Sequence, residues 1–147
     1  MPTSSTLVSP QQLIDAAKAP LLAFNEKDWD AVRASITEDF VYDEVSTGRR
    51  SRGREETVSL WQSWAQAFPD ARATFDKELA TGDTVVVEVT WRGTHRGPLQ
   101  TPAGPIPATG KRIDMRACFV CDMGDGRIRQ ERHYFDMATL LHQIGVS

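Results

Sequence analysis

Two short segments of this sequence carry side chains that can take and give protons. In one, Tyr42 and Glu44 stand two residues apart; in the other, Glu131, His133 and Phe135 alternate. Both segments, 40–45 and 127–136, read as β-strands, and in a strand residues two apart share a face. A phenol and a carboxylate then stand together on the first strand. A carboxyl, an imidazole and an aromatic ring stand together on the second. Imidazole titrates near neutrality and can hold or release a proton. His133 is therefore the candidate acid–base residue, with Glu44 and Tyr42 as candidate catalytic assistants. If the two faces meet, His133 and Glu44 form a dyad of the kind that tunes catalytic pKa values. The plainer readings are a histidine satisfied by hydrogen bonds in a pocket wall or interface, and an edge-strand glutamate in water.

Other patterns carry less chemistry. Cys118 and Cys121 form a C-x-x-C, but inside the apolar run 117–121, which reads as a strand. Residues three apart on a strand face opposite ways, and no second pair completes a zinc site. Both thiols are expected to act as small apolar residues, and no metal site is expected. Arg112, Asp114 and Arg116 lie on the polar face of one strand, with Glu88 and Arg92 on the polar face of its neighbour. Surface or dimer-interface ion pairs fit them better than catalysis. Arg49, Arg50, Arg52 and Arg54 cluster without interleaved aromatics, which reads as a solvated loop rather than a nucleic-acid site. The net charge of −3 implies no charged partner.

These residues need a scaffold. The chain has 147 residues, 40% hydrophobic and 25% charged, the usual size of one domain with one core. Residues 1–9 are expected to be a disordered segment and 10–147 a single domain. Ser9-Pro10 starts a helix to about Asn25, with Leu13, Ile14, Ala17, Leu21, Leu22 and Phe24 as its stripe and a break or kink at Pro20. Asp28 caps a second helix carrying Trp29, Val32 and Ile36. A strand over 40–45 and a loop over 46–53 precede a third helix, from Arg54 to about Phe68. Strands follow over 71–80, 84–95, 111–123 and 127–136, with a long Gly/Pro loop over 96–110. A short helix over 137–144 ends the chain, Gly145 stopping it.

Helices followed by long strands indicate an α+β fold with an antiparallel sheet. The apolar face of that sheet carries Val85, Val87, Val89, Trp91, Ile113, Met115 and Phe119, and only the three N-terminal helices are available to cover it. A curved sheet over three helices leaves a concave apolar cavity of the sort that binds small ligands. Trp91, Phe119, Phe24, Trp61 and Trp64 are expected in core and pocket wall, suited to a flat apolar ligand. His95 ends a strand as a surface residue or a gate at the cavity mouth. His142 faces solvent. Asp136 sits at the start of the last helix, where capping is its expected work.

Several stretches resemble the SnoaL-like polyketide cyclases. They are Phe24-Asn25 with Asp28-Trp29-Asp30, Gly93-Thr94-His95-Arg96-Gly97, Thr109-Gly110-Lys111, Asp125-Gly126-Arg127-Ile128, and Asp136 with Leu140-Leu141-His142-Gln143-Ile144-Gly145. The likeness spans about residues 10 to 145. It implies the cone-shaped NTF2-like fold: a curved antiparallel or mixed sheet wrapped around three N-terminal helices, with a short C-terminal helix. It also implies cofactor-independent aldol cyclisation of a polyketide-like carbonyl compound. It turns the Glu131, His133 and Phe135 face toward the cavity, and Trp91, Phe135, Glu131, Phe119, Trp61, Phe24 and Asp136 become candidate substrate-binding residues. The family's acid–base Asp falls on His133, and a histidine on the preceding strand falls on or near Cys118. Tyr134-Phe135-Asp136 is also similar to a segment of limonene-epoxide hydrolases, but the positions of that family's catalytic Arg and Asp hold Val89 and Trp91.

The expected function is acid–base chemistry of the cyclase or isomerase type on a small apolar or aromatic carbonyl compound. Hydrolase or dehydratase chemistry and non-catalytic binding are the alternatives. No nucleic-acid or membrane partner is expected, no segment reaching the ~20 apolar residues of a span. A homodimer through the polar sheet face and a cytoplasmic location complete the expectation.

Overall fold

The computed structural model describes residues 8–146. Most of the expected disordered segment, 1–9, lies outside them; Val8 and Ser9 are exposed, and Ser9 begins a helix. In α1 (Pro10–Asn25) Ser9 and Gln12 form a reciprocal capping box, and Pro10 occupies the first turn where its missing N–H costs nothing. Of the kink or break expected at Pro20, the break does not occur: the helix runs through it. Its ring is buried with Ala17, Leu21 and Phe24, and this packing offsets the lost backbone bond. Leu22, expected on the apolar stripe, faces outward at 51% exposure. Asp28 caps α2 (Trp29–Ala34) through the Ala31 N–H.

The strand β1 (Ile36–Glu44) begins earlier than expected, taking Ile36 into the sheet instead of a helix. The segment read as a loop contains β2 (Arg49–Arg52), paired antiparallel with β1. Its Arg-Arg-Ser-Arg sequence has no apolar alternation, so no strand signal exists; sheet pairing and the Ser51–Thr57 hydroxyl contact of 2.8 Å hold it. Next come α3 (Arg54–Ala67), β3 (Arg72–Thr81), β4 (Thr84–Thr94), β5 (Arg112–Gly124), β6 (Arg127–Phe135) and α4 (Met137–Gln143).

The six strands form one curved, open mixed sheet in the order β2-β1-β6-β5-β4-β3. All neighbours are antiparallel except β1 and β6, which run parallel. That pairing joins an early strand to the last one and sets Tyr42 beside Glu131 and Glu44 beside His133. The inward residues of β4 and β5, among them Val85, Val87, Val89, Met115 and Phe119, are buried. The cover is broader than three N-terminal helices. From α4 come Leu140, and just beyond it Ile144, both fully buried; Leu99 of the long loop is buried too.

The start of that loop is fixed by backbone contact. The Arg96 and Gly97 N–H groups both donate to the Ala67 carbonyl at the end of α3. A methyl group on Gly97 would run into the Gln66 carbonyl oxygen, a backbone atom that cannot swing away. We expect Gly97→Ala to destabilise the fold by about 1–3 kcal/mol, the usual cost of overpacking. Urea unfolding of the variant beside the wild type checks this, and equal midpoints would contradict it.

Candidate active site

The centre of the site is a carboxylate with no solvent exposure. Glu44 closes β1, and two of its neighbours arrive through the hairpin that follows. Thr47 Oγ1 donates to Glu44 Oε1 at 2.6 Å, and Arg49 Nε and Nη2 donate to the same oxygen at 3.0 and 2.8 Å. Oε2 accepts from the Trp64 indole N–H at 2.8 Å and from the Tyr42 hydroxyl at 2.7 Å. Burial pushes this carboxyl up, but Arg49, Thr47, Tyr42 and His133 together outweigh it and leave it below its ordinary value. Glu44 is therefore ionised at neutral pH.

The Tyr42 hydroxyl has one proton, and Glu44 takes it. Its oxygen lies 2.8 Å from His133 Nδ1, so it must accept there, and His133 carries its proton on Nδ1. That tautomer leaves Nε2 as the acceptor end of the ring. The nearest donor to it is the Trp91 indole N–H at 3.4 Å, a weak contact. Phe119 stacks on the imidazole with ring centroids 3.9 Å apart and planes 13° from parallel, which fixes the ring's orientation. Burial drives the His133 pKa down to about 4, the Glu44 charge opposing it. The ring is neutral at pH 7.

Glu131 stands two residues before His133 on the same face and is buried to 1% exposure. Its one hydrogen-bond partner among the described residues is the Cys121 thiol, 3.5 Å from Oε2. No cation meets it. Burial raises its pKa to about 8, the thiol offsetting this only slightly. The same burial, with Glu131 beside it, pushes the Cys121 thiol well up, so the cysteine stays protonated.

His133 and Glu131 border a cavity of about 80 Å³. Its wall includes Phe24, Trp61, Trp64, Trp91, Phe119 and Phe135, and among the described residues its titratable lining groups are Tyr42, Glu131 and His133. Glu44 is not in the wall: Tyr42 stands between it and His133, so the two do not touch directly as a dyad. Asp136 is not there either. It is exposed and caps α4 through the Ala138 N–H at 3.0 Å, with Thr139 on its other oxygen. Its carboxylate serves the helix end, which corrects its placement among substrate contacts.

His95 is corrected as well. It is buried rather than a surface residue, tilted against Phe68 at 5.3 Å. Its Nδ1 accepts from the Thr109 N–H at 3.2 Å, pinning the end of the long loop. His142 is exposed on α4. Asp114 pairs with Arg92 at 3.2 Å on the exposed outer face. Among the described residues no group of three or more His, Cys, Asp or Glu could hold a metal ion, and no helix is long and apolar enough to cross a membrane.

Three contributors escaped the sequence reading. Arg49 was grouped with a solvated basic loop, yet it is cross-strand partner to Glu44. A signal existed: the turn at Thr47-Gly48, with Gly48 at φ 74°, folds the chain back so that the residue after it faces Glu44. Trp64 is in the pocket wall as expected, and its N–H also serves Glu44. Cys121 was read as a small apolar residue, but its thiol is the partner of Glu131.

The family model described as SnoaL-like polyketide cyclase matches residues 14–144. A candidate SnoaL-like polyketide cyclase from Jannaschia sp. CCS1 superposes with a TM-score of 0.83 at 17% identity, covering 100% of this chain and 99% of that one. IdmH, a candidate polyketide cyclase from Streptomyces antibioticus, is 30% identical, with a TM-score of 0.77 and coverage of 92% and 99%. An M. tuberculosis epoxide hydrolase of the limonene-epoxide-hydrolase-like type is 26% identical, with a TM-score of 0.71 and coverage of 92% and 90%. No curated protein matches the sequence.

The two buried groups link stability to pH in opposite directions. Glu131 binds its proton more tightly folded, at about 8, than its ordinary 4.5. Its contribution is complete below 4.5 and is lost as pH rises toward 8. His133 is held at about 4 against an ordinary 6.5, so its contribution is complete above 6.5 and lost as pH falls toward 4. Glu131→Gln removes the first dependence alone. Across pH 5 to 8 we expect the variant to gain stability over the wild type, by at most about 1.4 kcal/mol per pH unit. Urea unfolding at stepped pH measures it, and parallel curves would refute the protonated Glu131.

Proposed function

The chain belongs to the SnoaL-like polyketide cyclase family, and from that membership we propose that it is a cofactor-independent acid–base enzyme. Its substrate is a small, flat, largely apolar carbonyl compound, and its reaction is proton transfer beside the carbonyl, as in aldol cyclisation or isomerisation. One observation carries the reading: an unbroken donor–acceptor chain runs from Arg49 through Glu44 and Tyr42 to an imidazole that lines the pocket.

In this mechanism His133 Nε2 takes the proton from the carbon next to the carbonyl. The C–H electron pair becomes the enolate double bond, and the carbonyl π pair moves to oxygen. The ring is then an imidazolium. Its Nδ1–H bond to Tyr42 tightens, and the phenol, held by the Glu44 carboxylate, becomes the better acceptor. A base depressed to about 4 is weak in the empty pocket. An enolate forming beside it supplies the negative charge that raises its affinity for the proton, so the pair forms together in a dry site. For the second half of an aldol closure the enolate carbon attacks a second carbonyl carbon, and the imidazolium returns its proton to the new alkoxide.

Glu44 and Arg49 are positioning residues on this reading, since Tyr42 separates them from the pocket. The family likeness puts the acid–base position on His133, where an Asp is expected, and imidazole is competent for the same step. The same reading puts a homodimer contact on the outer sheet face, where Glu88, Arg92, Asp114 and Arg116 are exposed.

The test uses 2-tetralone, a flat enolisable ketone, in deuterated water, with exchange of its α-protons followed by NMR. We expect wild-type protein to accelerate exchange and His133→Ala to lose at least ~10²-fold of that acceleration. Tyr42→Phe should lose less and move the acid limb of the pH profile downward, because His133 is then cut off from Glu44. Undiminished exchange by His133→Ala would remove the assignment. Incorporation of oxygen from labelled water into a native product would redirect it to hydrolysis.

A further inference from the structure

A buried carboxyl with no cation and one thiol for company is an unusual thing to keep in an aromatic pocket. Glu131 is such a group. Its Oε2 meets the Cys121 thiol at 3.5 Å, and its Oε1 has no hydrogen-bond partner among the described residues. An ionised carboxylate there has no cation or N–H among the described residues to compensate it, so burial favours the neutral form, which owns an O–H. The protein has not used that donor: Cys121 is itself a donor toward Oε2, and Tyr42, across the strand pair, gives its proton to Glu44. A leucine or methionine would fill the same space without the desolvation cost.

The position of this donor relative to His133 is specific. Both side chains line one pocket and rise from one face of β6, two residues apart. Such neighbours stand about 7 Å apart along a strand. One group is a proton acceptor at Nε2 and the other a proton donor. A ketone's acidic C–H and its carbonyl oxygen are separated by two bonds and need those two partners at once.

We infer that Glu131 is a second catalytic residue, whose O–H binds the substrate's carbonyl oxygen while His133 takes the neighbouring C–H proton. The ligand class follows: an uncharged ketone or aldehyde with an apolar body, its oxygen toward Glu131. A carboxylate or phosphate ester would lack a cation in the wall to receive it. The proton count closes within the pocket. The carbon loses a proton to Nε2, the electron pair reaches the carbonyl oxygen, and the Glu131 O–H hydrogen-bonds or passes its proton to that oxygen; the return step restores both groups. This rests on the proton-transfer reading above and adds a donor to the carbonyl oxygen, which that reading leaves without a partner during enolisation.

The test separates the two. Affinities for 2-tetralone and for tetralin, which differ only in the carbonyl, are measured by protein NMR titration. In Glu131→Leu we expect the ketone to bind at least tenfold more weakly and tetralin to change less than twofold. Glu131→Gln, which keeps an N–H donor, should retain most of the ketone preference. In wild-type protein the infrared carbonyl band of a protonated carboxyl should be present at pH 7 and absent in Glu131→Gln. The exchange rate of 2-tetralone should fall as pH rises past about 8 in the wild type and not in Glu131→Gln. Equal losses for ketone and hydrocarbon, or no loss of either in Glu131→Leu, would overturn the assignment, as would the missing infrared band. If His133→Ala keeps full exchange while the ketone preference still depends on position 131, the base assignment fails and the Glu131 assignment stands.

Discussion

A carboxylate can live out of water only where donors replace the water, and Glu44 has five such bonds from four residues. These come from separate parts of the chain: Tyr42 from β1, Thr47 and Arg49 from the hairpin and β2, Trp64 from α3. Each constrains an element as well as an oxygen. With Arg49 seated, the hairpin cannot slide; with Trp64 seated, α3 has one rotation over the sheet. Removing any single donor leaves the others holding a buried charge, which costs more than the lost bond itself.

The same chemical group, one strand away, is in the opposite state. Glu131 sits beside Tyr42 in the sheet register yet faces no cation and no N–H. One carboxyl is ionised because the protein surrounds it with donors, and the other is protonated because the protein surrounds it with rings. Between them His133 is neutral, with its tautomer dictated by a phenol that has already spent its only proton. Pushing titratable groups apart by environment is how one fold keeps an acid and a base ready at the same pH. Here the separation comes from which side of β1 and β6 receives the hairpin and which receives the aromatic wall.

Much of this frame could be read from residue order. Period-two alternation located β4, β5 and β6 and put Glu131, His133 and Phe135 on one face, because a buried sheet face writes itself into every second residue. Caps at Ser9, Asp28 and Asp136 marked helix starts for a similarly local reason. The failures were not local. β2 has no apolar pattern and exists only because β1 offers it an edge. Pro20 is kept inside α1 by tertiary packing that propensity does not register. The role of Trp64 depends on where α3 crosses, and the burial of His95 depends on a loop of 96–110 folding over it. Alternation put Glu44 and His133 each on a strand face, but it carries no sign of the β1–β6 pairing that brings those strands together or of Tyr42 standing between the two side chains.

The parallel pairing of β1 with β6 has a consequence for how such a molecule comes to be competent. The Tyr42–His133 contact spans 91 positions of sequence. Closing so wide a loop is an entropic debt that only long-range strand pairing can settle, and such pairing is slow. Until β6 docks, Glu44 and Arg49 can already be together in their hairpin, a charged clasp waiting beside an unoccupied edge. The Tyr42–His133 link in the proton-handling chain therefore exists only where β1 and β6 have paired, and forming the hairpin alone does not create it.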